Sequence, residues 1–84
     1  MTKAQLSEAL YGLGVPSDIY RLDGTHFELA HVLAQRDSRW VVFLSERGTE
    51  SDVAEFEDEH EACIHLLGRV CLELIERGQL QVKQ

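Results

Sequence analysis

The sequence predicts a two-layer α+β domain: an N-terminal helix, a three-stranded antiparallel meander and a C-terminal helix, as one unit over residues 1–84. Three observations carry that expectation. Apolar residues recur at three- and four-residue steps near both ends of the chain, which is the helical period. Between them lie runs rich in β-branched and aromatic residues, above all Arg39-Trp40-Val41-Val42-Phe43-Leu44-Ser45. Turn residues punctuate those runs at Asp23-Gly24, Arg36-Asp37-Ser38 and Glu46-Arg47-Gly48.

Each element has its own warrant. The first helix is predicted over Lys3 to Leu13, with Thr2 and Gln5 spaced as a capping box and Leu6, Ala9, Leu10 and Leu13 on one face. Gly12, Gly14 and Pro16 stop it. A short extended piece, Ile19 to Leu22, leads into the Asp23-Gly24 turn. Phe27 to Gln35 alternates as a strand, with Phe27, Leu29 and Leu33 on one side. The tryptophan strand carries apolar residues on both faces, which places it inside the sheet. Gly48 suits a positive φ in the hairpin that follows. A more polar third strand, Asp52 to Phe56, suits an edge. The last helix is predicted to start at Asp58, with Glu61 as its third-position capping partner, and to close at Gly78. Cys63, Leu67, Val70, Cys71, Leu74 and Ile75 form its core face, and Ile64, Leu66 and Leu72 widen it into a heavily packed helix.

Composition bounds function. An 84-residue chain buries roughly 60–65% of its unfolded surface, leaving little apolar material for a deep pocket. Fifteen acidic against eight basic residues give a net charge of −7, which opposes binding to nucleic acid or to an anionic membrane. Seven of those carboxylates fall between Glu50 and Glu61 with no lysine or arginine among them, and such a field draws basic partners. The N-terminus has no apolar core of a secretory signal, and the longest apolar run, Trp40 to Leu44, is far short of the roughly 20 residues of a membrane span. Cys63 and Cys71 lie eight residues apart on one helix, about 12 Å, too far for a disulfide. Reduced thiols fit the cytoplasm.

Candidate chemistry is thin. Asp58, Glu59 and Glu61 at a helix start are favoured by the helix dipole whatever their function. Glu50, Asp52, Glu55 and Glu57 precede the helix, so either edge protection or a partner surface accounts for them. His60 and His65 are five apart rather than the four of a zinc-protease helix, and no calcium-loop or phosphate-loop pattern occurs. Cys63 beside His60 is the one thiol–imidazole pair, but it sits on the apolar side, where a thiol is inert. No catalytic, metal-binding or cofactor-binding residue is assigned, and the chain reads as a binding protein rather than an enzyme. Trp40 alternates with Val42 and Leu44; core packing is its first reading, and whichever strand face is not covered by the helices offers a contact surface.

Four phrases carry a resemblance: Gly14-Val15-Pro16, Tyr20-Arg21-Leu22-Asp23-Gly24, Trp40 to Gly48, and Phe56 to Cys63. They resemble small bacterial immunity proteins encoded beside polymorphic or contact-dependent growth-inhibition toxins. The tryptophan strand ending in Ser45-Glu46-Arg47-Gly48 is the most specific of them. The resemblance implies a protein that binds one toxin domain, such as a basic nuclease, and covers its active site or substrate groove. On that reading Glu50, Asp52, Glu55, Glu57, Asp58 and Glu59 steer the basic partner, with Arg47 and Trp40 as anchors. Free of its toxin the chain is expected to be a monomer or weak homodimer. The alternative is a self-associating adaptor module. The charge argument requires the carboxylates to share a surface and to escape neutralisation by the chain's own arginines.

Overall fold

Thr2 Oγ1 accepts the Gln5 N–H at 3.2 Å and Gln5 Oε1 accepts the Thr2 N–H at 2.8 Å, so the first helix, α1 (Lys3–Gly12), begins with the capping box its sequence spells. The computed structural model that shows this describes residues 1–25 and 28–80. Leu6 and Leu10 are fully buried beneath α1. Leu13, expected on that face, is the C-cap instead and stands half exposed, because the chain turns away at Gly14 (φ 74°).

The sheet departs from the expected three-stranded meander. It has four strands in the order β1-β2-β3-β4: β1 (Tyr20–Arg21), β2 (Leu29–Arg36), β3 (Arg39–Glu46) and β4 (Thr49–Phe56). The extra strand follows a single helical turn, Ser17–Ile19, and pairs parallel with β2 through Tyr20↔His31 and Arg21↔Val32. Two residues are too few to show a strand period, which is why the extended piece Ile19 to Leu22 carries no pairing information in sequence. A parallel partner forces the following chain back across the sheet. Gly24 crosses closely enough that a Cβ there would lie 3.4 Å from the Ala34 Cβ. Phe27, expected at the start of the second strand, lies outside the described residues, as does His26.

The other three strands form the predicted antiparallel meander, with β3 inside the sheet and β4 at its edge. Arg47 and Gly48 both have positive φ, 51° and 82°, the signature of a two-residue type I′ hairpin whose twist matches that of its strands. β4 starts at Thr49, three residues before the expected Asp52, because the hairpin zips polar residues against β3 as readily as apolar ones. Val42 pairs with Ala54 but Leu44 with Ser51, so Asp52 and Val53 together oppose Phe43 in a bulge, with Asp52 at φ 53°. The Arg69 guanidinium donates to the freed Asp52 carbonyl at 2.6 Å.

The final helix, α2 (Glu59–Glu76), is capped by Asp58, whose carboxylate accepts the His60 N–H at 3.1 Å. The cap therefore closes on the second helical amide rather than the third, and among the described residues the Glu61 side chain makes no reciprocal bond to the Asp58 N–H. Ala62, Cys63, Leu66, Val70 and Leu74 are buried with Leu6, Leu10, Val15, Ile19, Leu33 and Val42 in one cluster, so both helices cover the same sheet face. Each fully buried aliphatic side chain of this set stabilises the fold by about 1.5–3 kcal/mol. The opposite face is also closed: Ala30, Val32, Ala34, Val41 and Phe43 form a second buried cluster. Leu66 is buried as expected, but Ile64, Leu72 and Ile75 correct the expectation of a widened, heavily packed face, being 47%, 56% and 39% exposed on the side of α2 away from the sheet.

Candidate functional site

The acidic stretch is not one surface. On β4, residues paired with outward-facing β3 positions point away from the helices, and this sends Glu50 (opposite Ser45) and Glu55 (opposite Val41) to the outer sheet face. There Arg36, lying 5.0 Å over the Phe43 ring, makes a bidentate ion pair with Glu50, and this raises its pKa further. Arg39 Nε lies 3.5 Å from Glu55 and its terminal nitrogen 3.9 Å from Glu57. Thus the chain's own arginines engage Glu50, Glu55 and Glu57. Asp52 sits apart, on the bulge beside α2.

What gathers instead is a corner. Glu55 lies near the end of β4, Glu57 follows it, Asp58 caps α2, and Glu59 and Glu61 occupy its first turn. Glu59 accepts the backbone N–H of Lys3 at 3.0 Å, which ties α1 to this corner. Glu57 is 87% exposed, so its long contact with Arg39 is solvent-screened and weak. Trp40 stands at the same end, opposite Phe56, half-buried against the helix-covered core. Arg47 is exposed at the far end, where its backbone N–H donates to the Glu28 backbone carbonyl at 2.8 Å. Of the eight proposed contact residues, the fold therefore brings together Trp40, Glu55, Glu57, Asp58 and Glu59, and separates off Arg47, Glu50 and Asp52.

The thiol–imidazole pair is not arranged for attack. Cys63 is fully buried, and burial, followed by the Glu59 charge, pushes its thiol pKa up. His60 Nδ1 instead receives a hydrogen bond from the Met1 amine. Cys71 is half-buried and free. Among the described residues no three His, Cys, Asp or Glu side chains converge as a metal site, and no helix is long and apolar enough to cross a membrane.

Two features escaped the sequence reading. An open groove of about 420 Å³ runs between the β4 bulge and α2, lined by His31, Asp52, Val53, Leu72, Glu73 and Glu76 together with Arg69. His31, 8% exposed, donates from Nε2 to Glu73 at 3.0 Å, and Arg77 binds the other Glu73 oxygen at 3.0 Å. No sequence spacing joins a strand histidine to a helix 42 residues on. The second feature did leave a signal. Gly68 interrupts an otherwise strong helical pattern, and in the structure it lies exposed, midway along a line of Ile64, Leu72 and Ile75 at four-, four- and three-residue steps. No protein family, curated protein or solved structure matches this chain.

Proposed function

We propose that this chain is an immunity protein that binds a cognate bacterial toxin domain, a basic nuclease, and blocks it by covering its active site or substrate groove. The observation that supports the reading is the corner where β4 runs into α2, with Glu57, Asp58, Glu59 and Glu61 at one end of a molecule of net charge −7 and Glu55 alongside in its ion pair with Arg39. Hydrogen bonding by Asp58 and Glu59 orients those carboxylates without neutralising them. The sheet-face pairing of Glu50 with Arg36 moves the steering role toward this corner, with Trp40 beside it. A potential of this sign accelerates encounter with a cationic groove and weakens as salt is added.

The triple substitution Glu55→Lys, Glu57→Lys, Glu59→Lys is expected to slow association with the toxin domain about tenfold at low salt and to flatten its salt dependence. Unaltered association kinetics would remove the corner from the binding mechanism. The function itself is tested by genomic context and co-expression. An adjoining upstream reading frame ending in a short basic toxin domain is expected, with growth rescued when the two are co-expressed. The lack of such a frame or unrelieved killing rejects the assignment. Self-association is a second reading, favoured by the exposure of Ile64, Leu72 and Ile75 and opposed by the mutual repulsion of two chains of charge −7. Sedimentation of the chain alone separates the two.

A further inference from the structure

The outward side of α2 has a composition that the isolated chain does not need. Ile64, Leu72 and Ile75 are 39–56% exposed there, and Leu72 continues sideways into the groove beside Val53, itself 51% exposed. An amphipathic surface helix ordinarily turns polar residues to this side. At the centre of the line is Gly68, in helical conformation and away from either end of α2. A helix-interior glycine is less stable than alanine and is retained where something must approach closely. Among the described residues nothing does: a Cβ built at Gly68 would meet none of their atoms within 4 Å. The notch faces outward and is open.

Around this face four carboxylates, Asp52, Glu61, Glu73 and Glu76, outnumber two arginines, Arg69 and Arg77. Asp52, Glu61 and Glu76 border it, and none has an ion pair among the described residues. The neighbouring arginines are turned to the chain's own groups, Arg69 to the Asp52 carbonyl and Arg77 to Glu73. A second copy would bring the same bare carboxylates against one another. A partner with an apolar ridge flanked by lysines or arginines matches both the stripe and its rim.

We infer that the outer face of α2, centred on the Gly68 notch and continuing into the Leu72–Val53 groove, is the surface that docks the basic toxin domain. This rests on the immunity reading and gives the short-range contact, whereas the β4–α2 corner steers the approach. The probe is the purified toxin domain of the neighbouring frame, made catalytically inactive. Gly68→Ala is expected to raise the chain's own Tm by several degrees, about 4 °C or more, yet weaken toxin binding about tenfold by filling the notch. Leu72→Asp, at a largely exposed position, is expected to lower Tm by only a few degrees, through poorer helix propensity and the neighbouring carboxylates, and to weaken binding about a hundredfold. If both variants bind like the parent chain while the corner triple variant associates slowly, the docking surface is wrong and the immunity reading stands. Absence of any binding by the parent chain overturns both. A free chain that sediments as a dimer, dispersed by Leu72→Asp, reassigns the face to self-association.

Discussion

His65 is held where its charged form is disfavoured. Its ring lies tilted against Phe56, centroids 5.1 Å apart, and its Nε2 is buried with no hydrogen-bond partner. Burial, then the positive charge of Arg69, pulls its pKa below the ordinary 6.5. The unfolded chain therefore binds this proton at a higher pH than the folded one. His65 consequently takes nothing from stability above pH of about 6.5 and destabilises the fold progressively as pH falls through that value toward the native pKa. Replacing it by phenylalanine keeps the aromatic contact and removes the titration. Urea midpoints at pH 7.5, 6.5 and 5.5 should decline less steeply for His65→Phe than for the parent chain, and parallel declines would rule His65 out as a source. None of this was legible in sequence, where His65 was simply a histidine outside any metal spacing. Its environment is made by Phe56, nine residues away on another element. Cys63 was legible, since helical periodicity alone assigns it to the apolar side.

Local chemistry shaped some elements and not others. The β3–β4 hairpin places Arg47 at φ 51°, a conformation that costs a non-glycine residue about 1–2 kcal/mol. Asn-Gly is the pair preferred in such a turn, so Arg47→Asn should raise Tm by about 4–8 °C if it relieves about 1 kcal/mol. A calorimetric scan checks this, and an unchanged or lower Tm would mean that the arginine side chain repays the strain elsewhere. The turn was readable because Gly48 demands it. The start of β4 at Thr49 was not, since Thr49-Glu50-Ser51 has no apolar alternation to betray pairing. The bulge was equally hidden: Asp52-Val53 looks like any two strand residues until the register with Phe43 is known. That extra residue is also what divides the acidic stretch, by setting Asp52 beside α2 while Glu50 and Glu55 face outward.

At the scale of the molecule, the sheet is closed on both sides although the helices cover only one. The α+β class, the capped helices and the edge position of β4 followed from pattern. The parallel β1 did not, because two residues carry no period, nor did the second apolar cluster, because β2 and β3 are apolar on both faces and period alone does not say which side the helices leave. Phe43 measures how much that second cluster contributes. Fully buried on the face away from the helices, it should lose about 3–5 kcal/mol on truncation to alanine, a large share of the 5–15 kcal/mol typical of a whole domain. Equilibrium unfolding of Phe43→Ala beside Leu66→Ala makes the comparison, and a loss below about 1 kcal/mol would show that the outer cluster is marginal.

Cys63 lies beneath the amino-terminal end of α1, close enough for the Met1 amine and Lys3 to act on its thiol. The segment above it is secured to the rest by the buried Leu6 and Leu10, the Glu59 bond to Lys3 and a strand only two residues long. A thiol reagent can reach the sulfur only while the packing over it has opened. The alkylation rate of the native chain is therefore a stopwatch for how often the core shared by α1, α2 and the sheet opens at Cys63.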